Sequence, residues 1–241
     1  MNSLYKVIDF VWTVIYRIPA VSMVTVLLLY TPLKERDYKK EHYMEFEVTD
    51  EMVSKWNEKL PKLIEHAKSF DKADIIPFWS CRAQQEGIGK ECFSQWYPSP
   101  FTVNRITYHC TEQWMMAEKA RLFGDNETLD KILKETVPRK IKDLGRAVKG
   151  FDVEEWKKYR FEIVTEGNLH KFSQNKDLRD YLLSTGDKII VEASPFDRIW
   201  GIGIGDDNEF VDKPRNWPGL NLLGFAIMTV RDELRSTNGK D

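Results

Sequence analysis

"ITYHCTEQWMMAEKARLF", residues 106–123, joins two kinds of local order. Ile106 to Cys110 alternate as a short strand does. The remainder, free of proline and glycine, reads as a helix of about three turns opening at Thr111, a good N-cap residue. At about 3.6 residues per turn, Glu112, Met115, Met116, Lys119 and Phe123 share one stripe, whereas Gln113, Ala117 and Arg121 lie elsewhere. An acid and an amine therefore bracket a methionine pair. Two readings stand at this point. Both charges are rim residues, with Glu112 favoured by the helix dipole and Lys119 snorkelling, or the stripe is a pocket wall aimed at something polar.

Upstream of that helix, "IIPFWS" (75–80) and "CFSQWYPSPFTVNRITYHC" (92–110) mix aromatics, β-branched residues and prolines in strand-and-turn style. From about Asp50 to Phe70, Met52, Val53, Trp56, Leu60, Leu63, Ile64 and Ala67 recur at helical spacing, with Pro61 as a kink or restart. Downstream, "NETLDKILKETV", "PRKIKDLGRAV", "DVEEWKKYRFEIVTEGNLHKFSQ" and "KDLRDYLLSTG" are helical in period, Pro138 suiting a first turn and Gly186 an end. "KIIVEASP" and "RIWGIGIG" predict two further short strands, and "NLLGFAIMTVRDELRS" a closing helix. Strands, a run of helices, strands and a helix make an α+β, helix-rich single domain. No regular β-α-β alternation supports a doubly wound sheet.

The 241 residues are 42% hydrophobic and 31% charged, an ordinary globular composition long enough for one sizeable core or two small ones, with one main domain favoured. Lysine plus arginine number 36 against 38 aspartate plus glutamate, so bulk charge makes no case for nucleic-acid or membrane attraction. Cys81, Cys92 and Cys110 form neither a C-x-x-C pair nor a zinc spacing, and an odd count argues against a disulfide scaffold; a reducing, cytoplasmic compartment follows. His109 beside Cys110 lacks the partner motifs of a nucleophile or metal site and reads as structural. The chain supplies no metal-ligand cluster and no cofactor motif. "NET" at 126–128 is a glycosylation sequon, relevant only to a secreted chain.

Residues 7–30 are strongly apolar, yet Asp9, Arg17 and Pro19 interrupt them, and the clean portion from Ile18 to Tyr30 is short of the roughly 20 residues a spanning helix needs. The stretch lacks a basic n-region and a small-residue cleavage site. Three readings are a membrane-associating anchor that gives residues 7–30 a membrane contact, a docked helix, or an upstream extension outside the working protein. The extension is favoured because composition changes abruptly at Met44. The segments expected are 1–43 as extension, 44–77 as a lead-in helical stretch, 78–236 as the catalytic domain, and 237–241 as a flexible tail.

"WGIGIGDDNEF" carries Gly201, Gly203 and Gly205, but the spacing is G-x-G-x-G and an acidic loop follows, so a dinucleotide site is rejected. Glycines here allow close approach of backbone to a ligand or neighbouring element. In "EASPFDRIW" an apolar strand ends in Ser-Pro and places Asp197 three residues before Trp200. An acid and an aromatic at a strand end suit a sugar or base, or equally a turn cap and a packing ring.

Taken in order, "FSQWYPSPF", "TEQWMMAEKA", "LGR", Trp156 with Arg160, "HKFSQN", "LLSTG", "VEASPFDRIWGIG" and "NLLGFAIMTVR" resemble the NADAR family, also called the YbiA-like N-glycosidases, over about residues 78–235. The resemblance implies a metal-independent hydrolase of N-glycosidic bonds in ribosylated bases. Two substrate types go with it: ribosylamino-pyrimidine phosphates of the riboflavin pathway, and ADP-ribosylated guanine. Position by position it marks Glu112, Lys119, Trp156, Lys171, Asp197, Trp200 and Gly201. Gln113 and Trp114 depart from the histidine and tyrosine often found after the motif glutamate.

N-glycoside cleavage builds positive charge on ribose and needs a proton on the leaving base, tasks that suit Glu112 and Asp197. A desolvated lysine, Lys119 first and Lys171 second, suits attack on the anomeric carbon with a Schiff base following. Trp156 and Trp200 suit stacking; Arg146 and Arg160 suit phosphate. The alternative is a non-catalytic module that binds ADP-ribose or a related nucleotide through the same residues.

Overall fold

The computed structural model describes residues 50–82 and 86–238. The expectations for residues 1–43, the start of the lead-in at Met44 and the end of the tail lie outside the described residues. Among the described residues, no helix is long and apolar enough to cross a membrane.

Helix α1 (Asp50–Lys68) runs through Pro61 as one helix, without a restart. Strand β1 (Ile75–Phe78) leads through a 3-10 turn (Lys90–Phe93) to the hairpin of β2 (Phe101–Val103) and β3 (Ile106–Tyr108). The antiparallel register runs Phe101↔Tyr108 to Val103↔Ile106, so Asn104 and Arg105 alone form the loop. Both have positive φ, +49° and +66°, as a two-residue type I′ turn requires. Then follow α2 (Thr111–Leu122), α3 (Asn126–Lys134), α4 (Pro138–Arg146), α5 (Val153–Gln174), α6 (Lys176–Ser184), β4 (Ile189–Glu192) and α7 (Leu222–Asn238). Strands β1 and β4 pair in parallel, Ile75↔Ile189 to Phe78↔Glu192, far apart in sequence.

Two sequence expectations are corrected. "RIWGIGIG" is not a strand. Ile202 N donates to Glu192 O (2.9 Å) and Ile202 O accepts from Gly219 N (2.8 Å), so its backbone is spent on two different segments and builds no ladder. The N-cap of α2 is Cys110, without a side-chain cap bond; Thr111 is the first helical residue, and its hydroxyl donates to Gln95 O at 3.3 Å.

The larger surprise is α2 itself. Every residue from Thr111 to Ala120 is buried, so the helix has no solvent face and packs against α3, α4 and α5. Its polar residues must therefore find partners inside the protein. Gln113 does so completely: its amide nitrogen donates to Ile132 O (3.0 Å) and Glu135 O (2.9 Å), closing the C-terminal end of α3, while Oε1 accepts from His109 N (2.8 Å). Trp114 donates its indole N–H to Ile163 O of α5 (2.8 Å). That approach depends on Gly167, where an added Cβ would lie 2.4 Å from the Trp114 ring. Helix α5 starts at an Asp152 cap on Glu155 N (2.7 Å) and spans about 33 Å at 1.5 Å per residue, giving α1, α2 and α7 a common support.

Candidate active site

Burial of α2 decides between the two readings of its charged stripe. Glu112 is 3% exposed and Lys119 9%, so neither is a rim residue. Glu112 sits in the first turn, its backbone N–H given to Gln95 O (2.9 Å). The Trp96 side chain hydrogen-bonds its carboxyl, while Oε1 is buried without a hydrogen-bond partner among the described residues. Burial pushes the carboxyl up to about 7; Lys142, the Trp96 bond and Arg146 pull the other way, and Asp197 adds to the rise.

A second acid lies within its field. Glu192 closes β4, where its N–H donates to Asn221 Oδ1 at 3.0 Å, and its Oε2 is also buried without a partner among the described residues. Burial pushes this carboxyl up to about 8, reinforced by Asp197 and Glu112 and opposed by Lys142. Sequence reasoning misses both Glu192 and Lys142. The first reads there as the polar end of an apolar strand, and the second is one of several cations on α4. A glutamate ending "KIIVEA" just before Ser-Pro is the available signal.

Asp197 completes the acidic group, though differently. Its Oδ1 accepts from Ile199 N and Trp200 N, both at 2.8 Å, so half of its carboxylate holds the turn that follows. Both readings of "EASPFDRIW" are thus combined, because the turn cap also lends its charge to Glu112, Glu192 and Arg160. Gly201 locks this turn to β4: an added Cβ would stand 2.7 Å from Glu192 O and 3.0 Å from Asp197 O. Trp200 is half-buried, and its carbonyl accepts from Leu223 N (3.1 Å) at the start of α7.

Cations flank the acids on one side. Lys142 and Arg146 are one turn apart on α4, and both act on Glu112. Lys142 Nζ stands 5.8 Å from the Trp96 ring centre; Arg146 is exposed and also reaches Asp143 at 3.4 Å. Half-buried Arg160 lies on α5 one turn beyond Trp156.

The lysines occupy separate places. Lys119 lies seven residues along α2 from Glu112, about 10 Å of helix rise, and donates to Gly145 O at 2.8 Å. Its Nζ is 3.9 Å from the Phe151 ring centre and 5.9 Å from that of Trp156, and burial lowers its pKa. Between the two ends Met116 presses on α4, where a Cβ on Gly145 would meet its sulfur at 1.8 Å. Lys171 is sealed at 0% exposure, donating to Cys92 O (2.6 Å) and Ser94 O (3.2 Å). Burial brings it down to about 8, opposed by Cys92 and Cys110. It holds the carbonyls of the segment whose next residues, Gln95 and Trp96, contact Glu112.

A cavity of about 1210 Å³ opens elsewhere, between α1, the approach to β4 and α7, with Trp56, Lys188 and Phe225 in its wall. Glu112, Glu192 and Asp197 do not line it. The acids are the candidate site, since buried carboxylate oxygens without partners among the described residues lie there on two elements within the field of lysine and arginine cations.

Comparison with known proteins places the chain in a family. N-glycosidase R617 of Acanthamoeba polyphaga mimivirus is 48% identical over 157 residues, covering 63% of this chain and 92% of that protein. N-glycosidase Npun_R5314 of Nostoc punctiforme is 31% identical over 145 residues, 60% of this chain and 86% of its own. The NMR structure of the Escherichia coli protein YbiA superposes with a TM-score of 0.58 at 23% identity, over 73% of this chain and 95% of that one, a likeness of fold. The NADAR domain pattern matches residues 78–235, the span that carries every residue of the acidic site, and the chain belongs to the NADAR domain family.

Proposed function

We propose that the protein hydrolyses the N-glycosidic bond of a ribosylated base, with Glu112 and Glu192 as the working carboxyls. The observation that carries this reading is that Glu112 and Glu192, each with a buried carboxylate oxygen lacking a partner among the described residues, share Asp197 and Lys142 as charged neighbours. Burying an unpartnered acid is costly, and a site that must meet charge developing on a substrate gives that cost a purpose. Two similar N-glycosidases, of 48% and 31% identity, support the reaction class.

The two acids differ in a useful way. Glu112, at about 7, sits at a helix N-terminus, whose dipole favours the anion; Glu192, at about 8, holds its proton longer. Between about pH 7 and 8 the pair therefore carries about one proton, with Glu192 as the acid. As the bond between the anomeric carbon and the base nitrogen breaks, Glu192 gives its proton to that nitrogen. The Glu112 carboxylate faces the positive ribose and takes a proton from the attacking water, whose oxygen bonds to the anomeric carbon. Free base and ribose derivative leave, and the next cycle begins when the proton returns from Glu112 to Glu192 through solvent.

Asp197 sets the local field and the turn. Arg146, Lys142 and Arg160 suit a phosphate on the ribose, and Trp156 and Trp200 suit its rings. The substrate is either a ribosylamino-pyrimidine phosphate or ADP-ribosylated guanine. Lys171 acts by positioning the Trp96 segment. Lys119 supports a second reading, attack by its amine, because burial depresses its pKa beside two rings.

The test incubates the protein with each substrate type and follows free base by mass spectrometry, with borohydride added in a parallel series. Base release lost in Glu112→Gln and Glu192→Gln is expected. A borohydride adduct on Lys119 would replace the direct route with the lysine route. Nucleotide binding without base release, in folded protein, would overturn hydrolysis in favour of a binding module.

A further inference from the structure

The cavity between α1, the approach to β4 and α7 lies apart from the acids, and hydrolysis at the ribose does not use it. One of its walls, from Lys55 to Asp74, precedes residues 78–235, the span that carries the family pattern. The space therefore exists because α1 lies against the domain, where the Trp56 ring centre is 5.1 Å from that of Phe161 on α5. At about 1210 Å³ it is larger than the roughly 300–1,000 Å³ of ordinary small-molecule pockets, so a compact organic molecule fits within it. Trp56, Leu63, Phe225 and Met228 give it an apolar lining.

Its polar part contains a buried cation. Arg231 of α7 lines the cavity at 4% exposure. Both of its hydrogen bonds leave from Nη1, to Thr185 Oγ1 (3.0 Å) and Lys188 O (2.8 Å), which fixes the guanidinium plane. Its Nε is buried without a hydrogen-bond partner among the described residues. Asp232 Oδ1 stands 3.8 Å from that Nε, too far for a hydrogen bond, and is also 3.7 Å from Arg235. The other acids nearby are engaged or in water: Asp187 pairs with Arg235 (2.8 Å), Asp74 with Lys188 (3.5 Å), and Glu233 is exposed. Lys55 and Lys59 of α1 add positive charge to the same cavity, their Nζ atoms 5.7 and 5.3 Å from the Trp56 ring centre. A desolvated guanidinium without a hydrogen-bonded carboxylate is costly to keep, and an anionic guest offsets that cost.

We propose that this cavity binds a small carboxylate with an apolar body, the head group on the Arg231 guanidinium and the body against Trp56 and Phe225. A fixed guanidinium matches a planar carboxylate through charge-assisted hydrogen bonds, and an apolar wall beside a few placed polar groups is how small-molecule sites are built. An acyl chain and an aromatic ring both meet this requirement.

Calorimetric titration of the full chain tests this with decanoate and 2-naphthoate, each set against an uncharged counterpart, decanol and 2-naphthamide. At least one carboxylate should bind once per chain, about tenfold or more tighter than its counterpart, the factor that hydrogen bonds to a charged group supply. Decanoate alone assigns an acyl body, 2-naphthoate alone an aromatic one, and both together a site open to either. Thr229→Trp fills the cavity from α7 and should abolish binding. Arg231→Gln should weaken it about tenfold or more. Because that change also strands the Lys188 carbonyl, Lys59→Glu on the exposed side of the cavity serves beside it and should weaken binding about threefold in folded protein. Equal binding of charged and uncharged counterparts, binding that survives Thr229→Trp, or no binding of either carboxylate overturns the site. A dimer that Thr229→Trp dissolves gives the cavity to a second copy of the chain and overturns it too.

Discussion

Glu112→Gln should stabilise the protein while removing its activity, and the stabilisation should depend on pH. In the folded chain the Glu112 carboxyl is raised from 4.5 to about 7, chiefly by burial. The folded state thus holds a proton that the unfolded state has released, so stability from this group is full below pH 4.5 and is lost as pH rises through about 7. A tenfold difference in proton affinity between folded and unfolded chain is worth about 1.4 kcal/mol, so the ionised form costs the fold about 3 kcal/mol at alkaline pH. Glutamine keeps an acceptor for the Trp96 bond and carries no charge. Its amide also offers a donor in a neighbourhood where a Glu192 oxygen lacks one. Imperfect pairing of that amide removes part of the gain, on the order of 1–2 kcal/mol.

The remaining gain, about 1–2 kcal/mol, corresponds to a rise of about 2–8 °C in Tm near pH 8.5 for a domain of this size, shrinking toward zero or reversing near pH 5. Thermal melts of both proteins across that range, with base release measured alongside, check it. A variant that melts lower than wild type at every pH, or by a constant difference, would refute the argument that Glu112 is an acid buried at a cost.

Base release should be greatest between about pH 7 and 8, where the Glu112 and Glu192 pair carries one proton, and fall on both sides in a pH–rate profile. Glu192→Gln should lower kcat by roughly 100-fold or more and remove the alkaline fall. Gly201→Ala drives a methyl against Glu192 O at 2.7 Å, a backbone atom that cannot step aside, so it should lower both Tm and kcat; unchanged kcat would mean the turn does not hold the acids. Gln113→Leu strands the Ile132 and Glu135 carbonyls and the His109 N–H, and should destabilise by about 2–4 kcal/mol in urea melts while leaving kcat per folded molecule intact.

Much of the architecture is legible because local signals and burial agree. Pro138 and Asp152 start their helices where the sequence places them, and Gly186, at φ +60°, ends one. The misreadings share one cause, which is that long-range backbone bonds leave no local trace. "RIWGIGIG" has the residues of a strand, yet its hydrogen bonds go to β4 and to residues 219–223. Gln113 reads in sequence as a departure that puts substrate contacts in doubt; in the fold it closes a helix about twenty residues away. The stripe on α2 marks Glu112 and Lys119, but helical period alone does not reveal that the opposite face is buried as well.

That total burial explains how the protein can keep the Glu112 carboxyl raised. An acid on an ordinary amphipathic helix can turn toward water, and its pKa then stays near the usual value. Glu112 has no such exit: α2 is fixed on one side by the Gln113 amide at the end of α3, on another by the Trp114 indole on α5, and on a third by Met116 against Gly145. Each of these contacts keeps the carboxyl from turning out into bulk water, so their stability is what holds the acid in its costly state. The Gly167→Ala change separates this from a general packing effect. Its Cβ would meet Trp114 at 2.4 Å, on the face of α2 turned toward α5, and should tilt α2 enough to admit water. If fixation of α2 sets the acid's proton affinity, the acid limb of the pH–rate profile should move below about 7 in the folded variant; a limb that stays in place would show that the immediate neighbours of Glu112 suffice.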